Sequence, residues 1–432
     1  MKVYKFGGMS VKDAQSIKKL PEIITKTCND DLIIVVSAMG KTTNALENII
    51  SKAFAGENHN DEIENLRQFH ATNMLHLCAE VSPDLIHLFD AFTNAVNINE
   101  KDNYDKFYDS IVGYGELFSS TIVFHFLAQC GFDVRWLNAM DVIVSDDNWR
   151  SGNINFQETE KRMHKFFATS HKKVVITQGF IAGQHNNGTD FLHDIDDNIA
   201  QHKFSGMVTL GREGSDYSAA VFAACTGADE ITFWKDVDGI FTADPKFFNN
   251  AQKLEMVGYD EMVELSYFGA KVLHKKTLSV LNNKNIITKV RSFEDLSKQG
   301  TLLVKNTDIK YPPIHIYLDK QVLITLENKA KTIIKQADIT YLYETAEKWK
   351  SDINIIQISA IKISFCITYN QFSFHDMYSD LQKHFSVKYN MNTLLETIRH
   401  YTTHDVANVS AKENVLLTQR TRSVMQIVTK QP

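Results

Sequence analysis

The sequence predicts an α/β protein, a largely parallel sheet packed with helices, followed by a smaller α+β region. Three observations predict it. Short apolar runs such as Leu32–Val36 (LIIVV) alternate with stretches of helical periodicity, the pattern of strands buried on both faces. These runs end in loops of glycine and small polar residues, where open α/β sheets place their ligands. Tyr311-Pro312-Pro313 then breaks the pattern, since paired prolines suit neither a helix nor a central strand.

Bulk properties narrow the class. With 432 residues, two or three domains are expected. Hydrophobic residues make up 44% and charged ones 23%, a globular and not a disordered composition. The net charge of −6 and the lack of a long basic tract argue against nucleic acid as the main partner. The apolar runs fall short of the about 20 residues that a membrane helix needs. MKVYKFGG enters a strand directly, so no secretory leader is expected. The five cysteines are scattered without a CxxC pair, so neither a disulfide framework nor a zinc site is expected, and a reducing cytoplasm is the expected compartment.

Val3–Phe6 reads as a strand, Gly7–Ser10 as a turn, and residues 11–27 as a helix capped by Ser10. Leu32–Val36 and a helix beyond Asn44 repeat the unit. Residues 61–130 are dominated by helical periodicity, interrupted at Gly113-Tyr114-Gly115-Glu116. Strand-like runs resume at Val134–Trp136, Lys173–Thr177, Met207–Leu210 and Glu230–Phe233, with a last one at Ile286–Val290. Past the prolines, QVLITLE, YLYETAEKWKSD, INIIQISAI, KISFCITY and FHDMYSDLQKHF, with a short strand after them, spell a βαββαβ unit.

The chemistry concentrates in glycine-containing turns that carry a cation. Gly211-Arg212-Glu213-Gly214-Ser215-Asp216 lies between a strand and an Ala-rich helix, and Ser215 or Asp216 can cap that helix. An ordinary turn with a solvated Arg and Asp explains this segment equally well on its own. Gly40-Lys41-Thr42 is not a P-loop, because Val35 stands where that motif requires its first glycine. No Ser-His-Asp, HExxH or paired Cys/His spacing stands out. Lys5 beside Gly7-Gly8, Arg212 between glycines and Lys271 after Gly269 form an inventory suited to phosphoryl transfer, whose transition state is stabilised by cations and backbone N–H groups. Asp236 and Asp238 suit a nucleotide or a plain acidic turn.

KFGGMSV at Lys5–Val11 resembles the KFGGTSV opening of aspartate kinases. VVSAMGKTTN, GYGELFSS, TQGFIAG, TLGREGSDYSAA, FWKDVDGIFTADPK and LSYFGAKVLHKKTL are similar to that family's further motifs, in the same order. The resemblance covers about residues 1–305, and the C-terminal unit resembles the family's ACT-type regulatory region more loosely. It implies the amino-acid kinase fold, a mainly parallel eight-stranded sheet between helical layers. The implied boundaries are a catalytic domain over 1–300, with an aspartate-binding lobe over 1–205 and a nucleotide-binding lobe over 206–300. A linker over 301–319 and an ACT-like region over 320–432 follow, with one complete unit at about 320–392 and a truncated second.

The implied activity is that of a monofunctional aspartate kinase, which forms 4-phospho-L-aspartate from ATP and L-aspartate on the route to lysine, threonine and methionine. Lys5, Asp216 and Lys271 are the implied catalytic residues. Ser37, Thr43, Glu116, Phe180, Arg212 and Ser215 would hold aspartate, with Arg212 on the α-carboxylate and Glu116 on the α-ammonium. Lys5, Gly7, Gly8, Ser10, Lys235, Asp236, Phe241, Lys246 and Lys271 would serve ATP, with Mg²⁺ held mainly through its phosphates and no dedicated metal ligands. A homodimer through the ACT-like region is implied. The chain departs from the family pattern at Met9, Glu213 (usually Gly), Lys235 (usually Thr or Ser) and Phe241 (usually Tyr). Ile361 stands where lysine-inhibited members carry a carboxylate, so lysine feedback through that site is not expected. A catalytically silent regulatory subunit, or a kinase of the same fold acting on acetylglutamate, carbamate or UMP, are the alternatives.

Overall fold

The computed structural model of the chain describes residues 1–98, 102–169, 173–184, 199, 202, 204–270, 272–305, 308–371 and 373–431. They form two compact units. The first comprises Met1–Ile240, Leu254–Val263 and Leu273–Thr307; the second comprises Phe241–Lys253, Glu264–Val272 and Asp308–Pro432.

The first unit is built on an eight-stranded sheet. Its order is Met256–Gly258, Thr301–Val304, Ile287–Ser292, Glu230–Lys235, Lys2–Phe6, Leu32–Val36, Val174–Gln178 and Val134–Leu137. Every pairing is parallel except that between Ile287–Ser292 and Thr301–Val304. All five residues of Leu32–Val36 are buried, as a strand covered on both faces requires. Phe6 and Trp234 stack on adjacent strands with ring centroids 6.1 Å apart, and Tyr4 meets Trp234 edge-on.

Met207–Thr209 lies outside this sheet. It pairs antiparallel with Ile181–Gln184 in a separate three-stranded sheet. Asp13, not Ser10, caps the first helix by accepting from the Ser16 N–H at 2.8 Å, and that helix starts only at Ala14. Tyr104–Gln129, interrupted at Gly113, passes the length and hydropathy test for a membrane span, contrary to the sequence expectation. Of its most apolar window 83% is buried inside the protein, the place of a core helix.

The second unit carries a six-stranded antiparallel sheet, ordered Ile353–Ile358, Lys362–Thr368, Ile314–Asn328, Phe385–Arg399, Val424–Lys430 and Val415–Arg420. Two fifteen-residue strands, Ile314–Asn328 and Phe385–Arg399, run through its centre. Side chains alternate across them with period two. Val322, Ile324 and Leu326 join Leu342, Phe365 and Leu381 in one core. Leu323, on the other face, meets Leu395, Leu417 and Val428.

The expected linker over 301–319 and the truncated second unit are therefore corrected. Thr301–Val304 is a sheet strand, reached through Gly300, whose φ of +78° and approach to the Val290 carbonyl leave no room for a Cβ. Ile314–Leu318 pairs with Leu395–Arg399, next to the Val424–Lys430 strand. The C-terminal half-sheet thus takes its fourth strand from upstream in the chain. A helix at Thr403–Ser410, opened by a Thr402/Asp405 capping box, completes it.

The expected nucleotide lobe over 206–300 is also divided, because 241–253 and 264–272 belong to the second unit. There the His315 N–H donates to the Thr242 carbonyl at 2.7 Å, Phe248 stacks on Tyr317, and Arg399 pairs with Glu264 at 2.7 Å. Ile316, only 6% exposed, tests the reassigned strand. Ile316→Ala is expected to destabilise the C-terminal unit by about 2–4 kcal/mol in denaturant unfolding; a loss below about 0.5 kcal/mol would fit a solvent-exposed linker instead.

Candidate active site

Lys2–Phe6 is a central strand, and Lys5 sits near its carboxyl end in register with Val35 and Phe233. The loops that follow the three adjacent strands meet above it. Gly8 approaches the Ala38 carbonyl so closely that a Cβ would lie 2.8 Å from the oxygen, which accounts for glycine there. Across from Lys5, the Gly214–Thr226 helix begins after Glu213, whose φ of +54° is left-handed. Ser215 and Asp216 therefore lie in the first turn of the helix, two and three residues past Glu213, which takes the cap position expected of them. Gly179 and Gly214 let the Phe180 turn press against this helix: a Cβ on Gly179 would come within 2.6 Å of the Ser215 Cα.

A cavity of about 420 Å³ opens at this junction. Of the expected site residues it brings together Lys5, Ser37, Thr43, Glu116 and Phe180, and with them Arg212, Ser215, Asp216 and Lys235. At its floor the buried Asp216 carboxylate holds two ammonium groups, Lys5 Nζ at 2.5 Å on Oδ1 and Lys235 Nζ at 2.7 Å on Oδ2. Burial works against the charge of Asp216, but Lys235 and Lys5 outweigh it and hold the carboxyl at about 2. Burial lowers the Lys5 pKa, and the Asp216 charge opposes that shift. The helix N-terminus further favours the negative charge.

Glu116 is 4% exposed. Its Oε1 accepts from the Ala38 N–H at 3.2 Å, while Oε2 is buried with no hydrogen-bond partner among the described residues. Burial pushes its carboxyl up to about 8, against the pull of the Ala38 N–H and the Lys5 charge. Glu213 Oε2 is likewise buried and unpartnered. Burial and the neighbouring Asp216 raise its pKa, and Lys235, Arg212 and Lys5 moderate the rise.

Other expected residues lie elsewhere. Ser10 is 1% exposed and donates its hydroxyl to the Trp234 carbonyl at 3.0 Å, so it ties two strand ends together and does not line the cavity. Gly7, Gly8, Asp236, Phe241 and Lys246 are also not among the cavity's lining residues. Asp236 and Lys246 are exposed, and Phe241 and Lys246 belong to the second unit. Lys271 lies outside the described residues.

The sequence reading missed Tyr108, Arg150 and Thr209, which also line the cavity. One buried carboxylate places two of them. Asp109 accepts the Arg150 N–H at 2.8 Å, the Thr209 N–H at 2.9 Å and the Thr209 hydroxyl at 2.7 Å. No motif includes Tyr108 or Arg150, and Thr209, which opens the TLGREGSDYSAA motif, was given no role there. The helix that carries Asp109, Tyr104–Val112, also holds Asp105, Lys106 and Ser110, so the sequence does not set Asp109 apart.

Residues 1–292 match the amino acid kinase family, and the chain belongs to that family. The bifunctional aspartokinase/homoserine dehydrogenase 2, chloroplastic, of Arabidopsis thaliana is 31% identical over 319 residues, 72% of this chain and 33% of the relative. Aspartokinase 1, chloroplastic, of the same plant is 25% identical over 375 residues, 84% of this chain and 63% of its own length. The chain thus spans about a third of the bifunctional relatives it matches. In fold it is similar to E. coli aspartokinase III in complex with aspartate and ADP, with a TM-score of 0.81 at 21% identity over 100% of this chain and 96% of that one.

Glu116 makes the stability of the protein pH-sensitive. A carboxyl whose pKa rises on folding, from an ordinary value of 4.5 to about 8, favours the folded state below the lower value and loses that contribution as pH rises through the upper one. Thermal unfolding of Glu116→Gln should match the parent near pH 4.5 and exceed it near pH 9. Parallel curves across that range would place Glu116 in a solvated setting.

Proposed function

We propose that the chain is an aspartate kinase, transferring the γ-phosphoryl group of ATP to the β-carboxylate of L-aspartate to give 4-phospho-L-aspartate and ADP. The observation that carries this reading is the cavity in which a buried Asp216 presents two lysines, with Arg212 and Glu116, whose Oε2 lacks a partner among the described residues, lining its walls. The aspartokinase relatives support the choice of acceptor.

The nucleophile explains the residue types. A free β-carboxylate titrates near 3.9 and is already ionised at neutral pH, so the reaction needs no general base. The difficulty is bringing an anion to a polyanion. Lys5 and Lys235 offset that repulsion where charge develops on the transferring group, and Asp216 keeps both in place. Arg212 forks onto the α-carboxylate. The α-ammonium supplies the partner that Glu116 Oε2 lacks, and drives off the proton that burial favours there. Ser37, Thr43 and Ser215 offer hydroxyls, and Phe180 walls the pocket.

Gly7 and Gly8 would offer backbone N–H groups to the phosphates, and Asp236, Phe241, Lys246 and Lys271 remain assigned to the nucleotide through the family motifs. Mg²⁺ would be held mainly through the phosphate oxygens of the bound nucleotide. When bound, Mg²⁺ neutralises phosphate charge. A homodimer through the C-terminal unit is supported by the exposure of Ile333 and Ile361.

One observation favours a silent subunit. Glu213 sets a half-buried carboxyl, its Oε2 enclosed, beside a site for anions. Lys235, which also departs from the family pattern, adds a compensating cation to the same cavity.

The two readings separate in one assay. Purified protein with Mg·ATP and hydroxylamine should form ADP and an acyl hydroxamate in step with added L-aspartate, but not with acetylglutamate, carbamate or UMP. No aspartate-dependent product would end the kinase reading. Arg212→Ala should raise the KM for aspartate at least about tenfold, the loss of a charge-assisted pair, with the KM for ATP within about twofold. Equal effects on both would misplace Arg212. Lysine added to the same assay should leave the rate unchanged, and strong inhibition would contradict the reading of Ile361.

A further inference from the structure

We propose that Arg150 is a second arginine for the substrate's α-carboxylate, sharing it with Arg212, and so sets the preference for an amino dicarboxylate; this rests on the aspartate kinase reading. Two arginines line the cavity, from different segments of the chain. Their backbones are fixed to one another. Asp109 accepts the Arg150 N–H, and the same carboxylate holds Thr209, the last strand residue before Gly211-Arg212. Gly211, at φ +78°, packs so near the Arg150 carbonyl that a Cβ would lie 3.1 Å from it. Arg150 itself takes a left-handed φ of +64°, a conformation that a non-glycine residue keeps only when its surroundings over-determine it.

The side chain is aimed and only partly used. Its guanidinium lies 4.3 Å from the centre of the Tyr108 ring, which holds the plane in one orientation. Among the described residues it has a single hydrogen bond, to Asp105 Oδ1 at 3.3 Å, and that aspartate is 41% exposed. A guanidinium carries five N–H donors, so most remain open to a ligand. Arg212 makes no hydrogen bond among the described residues. An acceptor with two carboxylates presents one to the phosphoryl donor beside Lys5 and Lys235. The other needs cations of its own, and this pair supplies them without drawing on the lysines.

The test compares the parent, Arg150→Ala and Arg150→Lys by calorimetric binding and by steady-state kinetics. L-Aspartate is set against 3-aminopropanoate, which keeps the reacting carboxylate and the ammonium but lacks the α-carboxylate. Arg150→Ala is expected to weaken aspartate about 30-fold in Kd and KM, in the range of a lost charge-assisted contact, and to leave the KM for ATP within twofold. Binding of 3-aminopropanoate should change less than threefold. Arg150→Lys should fall between, because it keeps the charge and loses the planar fork. An equal loss for both ligands, a raised KM for ATP, or aspartate binding unchanged in Arg150→Ala would each overturn the proposal. A thermal midpoint within about 2 °C of the parent separates a binding effect from a folding one, and Arg150→Ala unfolded at assay temperature, with Arg150→Lys binding aspartate as the parent does, would also overturn it. A parent that neither binds nor phosphorylates L-aspartate removes the kinase reading itself.

Discussion

The site depends on one buried carboxylate shared by two lysines. Asp216 and Lys5 are almost fully enclosed, and neither charge would be tolerated there alone. Together with Lys235 they form a compensated group with net positive charge, directed at the cavity. The sheet and the helix both serve it. Lys5 must come from a central strand to reach the junction, and Asp216 must come from the first helical turn, where the backbone dipole favours an anion. Removing one member of such a group leaves an uncompensated charge, which is why the local architecture is so constrained.

Charge balance also gives Glu213 and Lys235 a common explanation. Each departs from the family pattern, and each lines the same cavity. Glu213 occupies a left-handed position that glycine fills without strain, and brings a carboxylate to a place meant for anions. Lys235 sits 2.7 Å from Asp216 and moderates the charge of Glu213 as well. The local field therefore retains its positive sign despite the added acid.

Much of the first unit was legible. The continuous apolar run Leu32–Val36 gave its strand, because a parallel strand buried on both faces leaves a clear signature, and the mixed run Glu230–Phe233 gave another. The motifs gave nine residues that now line one cavity. Other features were hidden for physical reasons. The strand at Ile314–Leu318 has the period-two alternation of a half-buried strand, but its partner in the sheet lies some eighty positions downstream at Leu395–Arg399, and a contiguous reading cannot pair them. Pro312-Pro313 immediately precedes that strand, and paired prolines carry the same local signal whether a linker or a strand follows. Ser10 has the composition of a phosphate-loop residue, yet its hydroxyl is engaged with Trp234. Arg150 and Thr209 reach the site through Asp109, a tertiary contact that no local pattern records.

The most direct measurement of this account is the steady-state rate of Asp216→Asn with Mg·ATP and L-aspartate. The substitution keeps the shape of the side chain and removes the charge that holds Lys5 and Lys235. The account predicts that kcat falls by about 100-fold or more, the scale of losing preorganised electrostatic stabilisation, with a much smaller change in the KM for aspartate. A kcat within a few-fold of the parent would contradict it, because the two lysines would then be held and charged without Asp216.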